Sequence, residues 1–501
     1  MRWPAFLLFL RALAACTTGD EPVLTTIPVV QGSGPKSPCE GRVVIVTGVV
    51  TGAFPHLSGY FLQDPSGDGD PATSDGIFVF QGSSAALPAR GSLLRVTGKV
   101  AEFARAGRDG SVTELDVRAS ASPLVKVEAL GASSLPGAVA LDPPLDGDGY
   151  LEAREGMLVA YPESVVVEPS NDFGEYHALR VDRLPARVRP RYDDPGTGRP
   201  VLIDRSFRQT VKTYDLAPRL TGVLHFDFGE FRLEPVSAYS VDDAGLRPTA
   251  APARGVGEFA VASLNAQRLV RGDLPGAALG RKLDRLAAGI RGQLRSPELV
   301  AIEEVEDLDL LAELGARAGG YQAVLLKGCD FSGINVGLLY NPDRVRVLTT
   351  TQLQAEAPQF RKGPCTLPDG RRFSQILFDR PPLRADLALD GIPVTVLVNH
   401  WRSQIGGRGE QRQASAEFLV EELRRAAIPN LIVLGDFNDS EDSEPVRTLA
   451  ESAGLTNTTW LAPLDVRYSL LFEGISQALD HILLSPSLAG RLIDSGYAHY
   501  N

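Results

Sequence analysis

The 501-residue sequence has little cysteine and no excess of positive charge. Its four cysteines, Cys16, Cys39, Cys329 and Cys365, include no Cys-x-x-Cys pair and are too few for a disulfide-rich scaffold. The 62 acidic residues outnumber the 50 basic residues, which gives a net charge of −12. A protein that coats nucleic acid through its positive charge is therefore excluded. Any polyanion must be held by a local group of arginines or by a metal ion.

Long apolar runs are also missing from the sequence. No run reaches the roughly 20 residues that a membrane-spanning helix requires. The hydrophobic fraction is 44% and the charged fraction is 22%, which are ordinary values for a soluble chain. This composition supplies enough apolar residues for sizeable cores, and the length corresponds to roughly two to four domains.

The N-terminus has the pattern of an export signal. Arg2 precedes a short apolar stretch, and small residues follow it up to Cys16. The ending Leu13-Ala14-Ala15-Cys16 resembles the bacterial lipobox, in which the cysteine is lipidated. We therefore expect an exported protein with a signal peptide at residues 1–16 and a polar tether at residues 17–38. It would be either extracellular or a cell-envelope lipoprotein attached through Cys16, and a buried first helix is the alternative.

Residues 39–125 have the pattern of a small β-barrel. Short runs rich in β-branched and aromatic residues alternate with clusters of glycine and proline. The amino-acid sequence of this section resembles the OB-fold modules that precede the nuclease domain in bacterial extracellular nucleases. OB folds bind single strands partly by aromatic stacking. Four aromatic residues could stack on bases or lie in the core: Tyr60, Phe61, Phe78 and Phe80.

Residues 126–252 are predicted to form a β-rich connector packed on the barrel, and nothing in this section points to chemistry. The last section, residues 253–501, alternates apolar strands with amphipathic helical runs, as in a layered α/β domain. The whole chain is thus predicted to be multidomain, with β structure first and an α/β domain last.

Polar residues lie at the ends of five apolar strands in the last section. They are Asn265, Glu304, His400, Asp436 with Asn438, and Asp480. One such residue would be a cap or a turn former, but five together predict that the strand ends meet at one edge. Carboxylate and amide oxygens are ligands for Mg²⁺ or Mn²⁺, and Ca²⁺ would also fit. A histidine can bind a phosphate, and Arg380 can hold a phosphate by two parallel donors.

Seven motifs follow one another along this section. They are Ser263-Leu264-Asn265, Ile302-Glu303-Glu304-Val305-Glu306, Gly337-Leu338-Leu339-Tyr340, Arg380-Pro381-Pro382-Leu383, Asn399-His400-Trp401-Arg402-Ser403, Gly435-Asp436-Phe437-Asn438-Asp439 and Leu479-Asp480-His481. In order and spacing, this set resembles the endonuclease/exonuclease/phosphatase family. The resemblance implies the deoxyribonuclease-I-like fold, a four-layer α/β sandwich, and a metal-dependent phosphodiesterase.

The resemblance also implies a role for each strand-end residue. Glu304 would be the main metal ligand, helped by Asn265 and Asp436. His400 would bind the phosphate, with Arg380 beside it. Asp436 and Asn438 would position the nucleophile, and Asp480 would orient the phosphate-binding histidine. Because adjacent residues of a strand point to opposite faces, we expect Glu303 to be solvated or to face a helix.

One departure from the family pattern concerns the C-terminus. The family ends with a Ser-Asp-His-x-Pro element whose Asp–His pair activates the attacking water, and this sequence stops at Ala498-His499-Tyr500-Asn501. We expect either a truncated sequence or a protein without this base. A disulfide between Cys329 and Cys365 is plausible in an exported protein, and two buried thiols are the alternative.

The function predicted from these observations is hydrolysis of nucleic acid by an exported, monomeric, metal-dependent phosphodiesterase, with DNA as the expected substrate. Membrane contact is expected only through the lipid anchor. Two alternatives remain open. One is a phosphatase or a sphingomyelinase-type phosphodiesterase with the same fold. The other is a surface DNA-binding protein that does no chemistry because it lacks the terminal Asp–His pair.

Overall fold

A computed structural model describes residues 21–83, 86–183, 198–360, 362–405 and 407–499. The predicted signal peptide and Cys16 lie outside these residues. The chain divides into two compact units, Met1–Leu246 with Phe472–Ile475, and Arg247–Leu471 with Ser476–Asn501. Within the described ranges, no helix combines the length and the apolar character that a membrane crossing requires.

The first unit begins with a closed barrel. Its elements are β1 (Val23–Leu24), α1 (Ile27–Gln31), β2 (Val43–Phe54), β3 (Gly59–Gln63), β4 (Gly76–Phe80), β5 (Ser92–Phe103), β6 (Val112–Asp116) and β7 (Lys126–Ala132). The sheet runs in the order β2-β3-β4-β6-β5, and pairing of β5 with β2 closes it. Within this ring only β4 and β6 are parallel. A core of mostly aliphatic side chains, with Tyr60 among them, fills the barrel.

The segment predicted as a tether packs on this barrel instead. Ile27 and Val30 of α1 are fully buried in the barrel core, and the Thr25 amide donates to the Ile45 carbonyl. The tether prediction is therefore wrong for residues 21–38. The apolar run Ile27–Val30 is too short to show helical periodicity, yet its side chains are sufficient to cover one end of the barrel core.

The aromatic residues proposed for base stacking lie mostly inside the unit. Tyr60 and Phe61 are completely buried and Phe78 is 5% exposed. Phe61 and Phe78 belong to a cluster that joins the barrel to the following sheet. Phe80 is half-buried, and the Arg118 guanidinium lies 4.6 Å from its ring centre. Stacking on Tyr60, Phe61 or Phe78 is therefore excluded by burial.

The rest of the first unit is an eight-stranded sheet. Its elements are β8 (Val139–Ala140), α2 (Asp148–Glu152), β9 (Leu158–Tyr161), β10 (Ser164–Glu168), β11 (Tyr176–Arg180), β12 (Val201–Ile203), β13 (Leu216–Ala217), β14 (Leu220–Asp227) and β15 (Glu230–Pro235). The strand order is β13-β10-β11-β12-β15-β14-β9-β8, over a hydrophobic core of its own. Strand β7, at the start of the predicted connector, pairs with β5 of the barrel, so the barrel sheet extends past residue 125.

The second unit contains two facing sheets. Its strands are β16 (Val261–Leu269), β17 (Leu299–Val305), β18 (Gln322–Leu325), β19 (Asn335–Tyr340), β20 (Val345–Gln352), β21 (Cys365–Thr366), β22 (Arg372–Phe373), β23 (Leu383–Leu389), β24 (Ile392–His400), β25 (Leu431–Asp436), β26 (Thr456–Asn457), β27 (Leu470–Phe472), β28 (Ile475–Gln477) and β29 (Asp480–Leu484). One sheet runs β16-β17-β19-β18, the other β20-β23-β24-β25-β29-β26, and β21–β22 and β27–β28 form two small hairpins.

Helices cover the outer faces of both sheets. These helices are α3 (Ala277–Arg291), α4 (Leu308–Arg317), α5 (Gly409–Ala426) and α6 (Glu444–Ala453). A short helix, α7 (Pro486–Ala489), contributes Leu488 to the core between the sheets. Three cores alternate with these layers: α3 and α4 against the smaller sheet, the two sheets against each other, and α5 and α6 against the larger sheet. The unit is thus a four-layer α/β/β/α sandwich of the deoxyribonuclease-I-like type.

A disulfide joins the loop between β18 and β19 to the short strand β21. Cys329 and Cys365 are bonded, with their Cα atoms 5.7 Å apart. The bond ties the loop that follows β18 to the start of β21, and the loop contains Asp330, which contacts the site described next.

Candidate active site

The polar strand-end residues continue the apolar alternation of their own strands. In β24 and β25, Val398 and Leu434 belong to the core between the sheets, and His400 and Asp436 lie two residues further along. Because every second residue of a strand points to the same face, these polar side chains enter the same layer at its end. One end of the apolar layer between the sheets is therefore polar.

Gly435 allows the two central strands to approach at this point. Asp436 of β25 pairs with His400 of β24. A Cβ atom on Gly435 would lie 2.0 Å from the Asn399 carbonyl oxygen, and its φ is +133°. Only glycine fits this close contact, and it sets Asp436 beside His400.

Glu304 lies in a β-bulge of β17. Glu303 pairs with Val336 and Val305 pairs with Asn335 of β19, so Glu304 is the extra residue between them. Its φ is +61°, in the left-handed region that a non-glycine residue adopts only at a cost of roughly 1–3 kcal/mol. The bulge turns the Glu304 carboxylate toward Asn265 and His400.

Glu303 does not take the solvated or helix-facing position that was expected from the sequence. It has the same parity as Leu299 and Ala301, which lie between the sheets, and it is completely buried. Its carboxyl group accepts a hydrogen bond from the Ser263 hydroxyl at 2.9 Å. Burial, together with the charges of Asp480 and Asp436, raises its pKa well above the usual range.

Asn265 bridges two carboxylates from different sheets. Its Nδ2 donates to Glu304 Oε1 at 3.1 Å and to Asp436 Oδ2 at 3.0 Å. Its Oδ1 accepts the Gln267 amide at 2.8 Å, which fixes the orientation of the side chain. The second Glu304 oxygen accepts the Arg268 amide at 2.8 Å. The three predicted metal ligands therefore lie together.

His400 faces the same two carboxylates. Its Nε2 lies 3.8 Å from Glu304 Oε1 and 3.8 Å from Asp436 Oδ2, and the residue is 4% exposed. Burial and the nearby Arg380 charge hold the pKa of the His400 imidazole well below its usual value. The ring is therefore neutral at pH 7 in this state and can donate or accept a single proton.

Asp480 completes an acidic cluster. It pairs with Asp436 across β25 and β29, and its Oδ1 is buried without a hydrogen-bond partner among the described residues. Burial raises the pKa of both Asp436 and Asp480, and the Glu304 charge raises that of Asp480 further. Asp480 lies beside Asp436, and no hydrogen bond from Asp480 to His400 is present among the described residues.

Asn438 lies on the turn after β25. Its amide donates to Asp436 Oδ1 at 2.7 Å, and its Nδ2 donates to the Trp401 carbonyl at 3.1 Å. Its φ of +51° is one that asparagine adopts more readily than most residues. These contacts fix the position of Asn438 next to Asp436.

Arg380 is engaged by the protein itself. Its Nη1 donates to Asp330 at 2.8 Å, its Nη2 to the Trp401 carbonyl at 2.7 Å, and its Nε to the His400 carbonyl at 3.3 Å. The residue is 6% exposed. Three of its five N–H groups therefore anchor the end of β24, a role that the sequence did not predict.

His481 and Asp330 were not among the predicted site residues. His481 contacts the Thr459 hydroxyl and the Asp439 carbonyl through its two ring nitrogens, at 2.9 Å each. Burial lowers its pKa to about 4. The contact with the Asp439 carbonyl holds the turn that carries Asn438, and the contact with Thr459 fixes the other ring nitrogen. No local sequence signal connects Asp330 to Arg380, because the two are 50 residues apart.

The donor set at this site fits a hard divalent cation. Four carboxyl groups lie together here, from Glu303, Glu304, Asp436 and Asp480. Burial and neighbouring carboxylates raise the pKa values of Glu303, Asp436 and Asp480, and the neutral Asn265 side chain lies between Glu304 and Asp436. The buried Oδ1 of Asp480 is also without a partner in the described part of the chain. Clustered carboxylate oxygens whose negative charge is not compensated by nearby cations are suitable ligands for Mg²⁺ or Mn²⁺.

Residues 262–496 match the model of the Endonuclease/Exonuclease/phosphatase family. The C-terminal unit carries a domain of this family. Members of the family are hydrolases that generally depend on divalent metals. A second model, Domain of unknown function (DUF8508), matches residues 119–243, and no curated protein matches the chain.

Several solved structures resemble the family domain. A mannosyl-6-phosphatase of Bacteroides thetaiotaomicron has 18% identity and a TM-score of 0.36, over 45% of this chain and 85% of that chain. The human Nocturnin catalytic domain has 18% identity and a TM-score of 0.32, over 44% and 80%. A β-hairpin deletion mutant of beta toxin from Staphylococcus aureus has 12% identity and a TM-score of 0.33, over 49% and 91%.

Proposed function

We propose that the family domain is a divalent-metal-dependent phosphodiesterase that hydrolyses nucleic acid, with DNA as its expected substrate, in a protein that is exported. The observation that carries the proposal is the cluster of Asn265, Glu304, His400 and Asp436 at the end of the two facing sheets. Glu304, Asp436 and the Asn265 side chain would hold the cation. The bound cation would supply positive charge to a phosphate oxygen as negative charge develops there.

The protein's own residues bind and orient the phosphate in this proposal. The buried, neutral His400 offers Nε2 toward the centre of the cluster and can donate a hydrogen bond to a phosphate oxygen. Arg380 fixes the carbonyls of His400 and Trp401, and its two N–H groups that make no contact with the described residues would donate to a phosphate. Asp436 and Asn438, held by each other and by Trp401, position the attacking water.

The N-terminal barrel supports nucleic acid over other phosphate esters. We propose that it is an OB fold, because five strands close in the order β2-β3-β4-β6-β5 with a single parallel pair between β4 and β6. OB folds commonly bind nucleic acid strands. The burial of Tyr60, Phe61 and Phe78 limits stacking at the positions first expected. A strand would therefore be held by other groups of the barrel, such as the exposed Arg118 and the half-buried Phe80 beside it.

The proposal is tested by hydrolysis assays on the full chain. Single- and double-stranded DNA, RNA, sphingomyelin vesicles and sugar phosphates are incubated with Mg²⁺ or Mn²⁺, with EDTA as the metal-free control. We expect DNA cleavage that stops with EDTA and is lost in His400→Ala. Hydrolysis of sphingomyelin or a sugar phosphate without cleavage of nucleic acid would replace the proposal with the corresponding phosphatase or lipid phosphodiesterase. DNA binding without any hydrolysis would indicate a non-catalytic binding protein.

Export is proposed from the N-terminal sequence alone. Expression of the full chain in a bacterium should place the mature protein outside the cytoplasm. Labelling with a radioactive fatty acid distinguishes the two forms: incorporation that is lost in Cys16→Ser indicates a lipoprotein, and mature protein in the medium without label indicates free secretion. Retention of the full-length chain in the cytoplasm contradicts the proposal.

A further inference from the structure

A histidine and two carboxylates meet in the first unit, outside the family domain. They are His56, in the 3-10 turn Pro55–Leu57 between β2 and β3, Asp204, directly after β12, and Glu234, in β15. One possible ligand atom from each residue lies within 4.8 Å of the other two. The turn belongs to the barrel, and β12 and β15 are parallel neighbours in the second sheet.

The distances within this trio are suited to a small ion. His56 Nε2 lies 3.2 Å from Glu234 Oε1 and 3.9 Å from Asp204 Oδ1. A tetrahedral zinc ion with bonds of about 2.0–2.1 Å holds its ligand atoms roughly 3.3–3.4 Å apart. The 3.2 Å contact, which is a hydrogen bond in this structure, is close to this value, and a shift of about 0.5 Å in the partly exposed His56 side chain would bring the 3.9 Å contact close to it as well.

Both carboxylates are buried and held in place by other groups. The side chain of Glu234 is 0% exposed and that of Asp204 is 4% exposed. The Ser206 hydroxyl donates to the second Glu234 oxygen. The Arg205 amide donates to Asp204 Oδ1 at 2.6 Å, and Arg232 donates to Asp204 Oδ2 at 2.9 Å. Carboxylates that bind metals are characteristically oriented by such second contacts.

The charge at this point leaves room for a cation. Asp204 shares the permanent cation Arg232 with Glu175, and Glu234 forms no ion pair with a lysine or arginine among the described residues, so its negative charge is uncompensated whenever His56 is neutral. Burying an uncompensated carboxylate is costly. A further histidine, His225, is 3% exposed, and its Nδ1 has no hydrogen-bond partner among the described residues. Its ring packs on Phe61 and Phe78, between the barrel and the second sheet.

We propose that His56, Asp204 and Glu234 form a second metal site, specific for a transition-metal dication such as Zn²⁺, which joins the barrel to the second sheet. Imidazole nitrogen is a preferred ligand of zinc but not of magnesium, which separates this site from the oxygen-lined cluster of the family domain. The partly exposed edge of His56 leaves access for the ion and for a water as the fourth ligand. The proposal does not depend on the activity of the family domain.

The test uses Co²⁺ as a spectroscopic substitute for Zn²⁺ in the full chain after removal of metals with a chelator. A tetrahedral Co²⁺ site with a nitrogen ligand absorbs visible light much more strongly than a six-coordinate oxygen site. We expect strong absorption that saturates at one equivalent of Co²⁺. Zn²⁺ should remove this absorption by displacing Co²⁺, and Mg²⁺ should not. Zn²⁺ should also raise the midpoint of thermal unfolding of the chelated protein.

Matched variants assign the signal to the proposed ligands. His56→Asn should abolish the strong absorption or weaken Co²⁺ affinity at least about 100-fold, and Ser206→Ala should weaken it roughly 10- to 100-fold. Glu304→Gln and His499→Gln should retain it, because they change the family domain only. Because His56 is 31% exposed, His56→Asn should still fold, and circular dichroism checks this. An unchanged Co²⁺ spectrum in His56→Asn, or a wild-type protein with only weak six-coordinate absorption, overturns the proposal.

Discussion

At the scale of single residues, Glu303 and Glu304 are adjacent carboxyl groups in different surroundings. Glu304 faces Asn265 and His400, whereas Glu303 is buried against Ser263 with a raised pKa. We expect Glu304→Gln to lower turnover on DNA at least about 100-fold, because the cation loses its main ligand. Thermal stability without metal should hold or rise, since one negative charge leaves the cluster. Steady-state kinetics and thermal unfolding in EDTA measure both effects.

Glu303→Gln is the matched control for this substitution. A glutamine resembles the protonated carboxyl group that the raised pKa of Glu303 favours, so turnover and stability should change little. Equal losses of activity in both variants, or normal cleavage by Glu304→Gln, would show that the cation is held by another residue.

Arg380 allows a test that separates phosphate binding from positioning. Its donors to Asp330, His400 and Trp401 anchor the end of β24. If anchoring is its main role, Arg380→Lys should lower kcat more than it raises KM, and it should destabilise the fold by about 3 kcal/mol because Asp330 is left buried without its partner. A large rise in KM with an unchanged unfolding midpoint would instead indicate that Arg380 mainly binds the substrate phosphate.

The acidic cluster should make metal-free stability depend on pH. The folded-state pKa values of Glu303, Asp436 and Asp480 are raised by burial and by mutual repulsion. Protonation therefore favours the folded state, so stability is fully present below the unfolded values near 4 and falls as pH rises through the raised values. In EDTA, the unfolding midpoint should decrease between about pH 5 and pH 8.

Buried carboxyl groups of the first unit, such as Glu114, whose pKa is raised to about 7, contribute a slope of the same sign. The informative quantity is therefore the difference between the wild type and Asp480→Asn. This variant should flatten the slope, and Mg²⁺ should stabilise the wild type more at pH 8 than at pH 5. The same slope in both proteins would contradict the assignment to the cluster.

The sequence alone identified most members of this cluster, for a physical reason. Asn265, His400 and Asp436 continue the pattern in which every second residue of an apolar strand faces the core, and this pattern can be recognised from the sequence alone. The position of Glu303 was predicted wrongly, because the prediction assumed that Glu304 continues the strand alternation. Glu303 follows that alternation, and Glu304 is an extra residue in a bulge that depends on pairing with β19. The contact of Arg380 with Asp330 was not predictable from the sequence, because the two residues are 50 positions apart.

At the scale of elements, the Cys329–Cys365 disulfide closes a loop that contributes to the site. The two cysteines are 36 residues apart in sequence. Closing a loop of this length in the unfolded chain contributes about 3–4 kcal/mol. Cys329→Ser with Cys365→Ser should lower the unfolding midpoint by several degrees, and turnover should fall because Asp330, next to Cys329, supports Arg380. Unchanged turnover in the folded double variant would show that the loop holds Asp330 without the bond.

Long elements with a clear period were predictable, and short ones were not. The alternation of apolar strands and helical runs expected for residues 253–501 is present in long elements such as β24, β25 and α5. By contrast α1, with five residues, has no measurable period, and its burial is decided by contact with the barrel. A periodic pattern of apolar residues can be recognised only when a helix or strand is long enough to repeat its buried face several times. A helix of about one turn is too short to show such a pattern.

At the scale of the whole molecule, the net charge of −12 should govern how salt affects catalysis. A basic nuclease loses affinity for DNA as salt rises, because released counterions favour binding at low salt. Here the protein repels DNA at long range, and salt screens that repulsion over a Debye length of about 10 Å at 0.1 M. We expect kcat/KM on DNA to stay constant or rise between about 20 and 150 mM NaCl.

The control for this experiment is a singly charged phosphodiester such as bis(4-nitrophenyl) phosphate, whose hydrolysis should change little with salt. A steep fall in kcat/KM on DNA alone would reveal a local basic surface that dominates over the net charge.

Because of the left-handed backbone at Glu304, catalytic activity and thermal stability favour different residues at this position. A glycine at this position would adopt φ near +61° without strain and would remove one repelling charge, so Glu304→Gly should yield a sturdier but inactive protein. A library screened only for heat resistance should therefore accumulate glycine at position 304, whereas a library screened for cleavage should keep glutamate there.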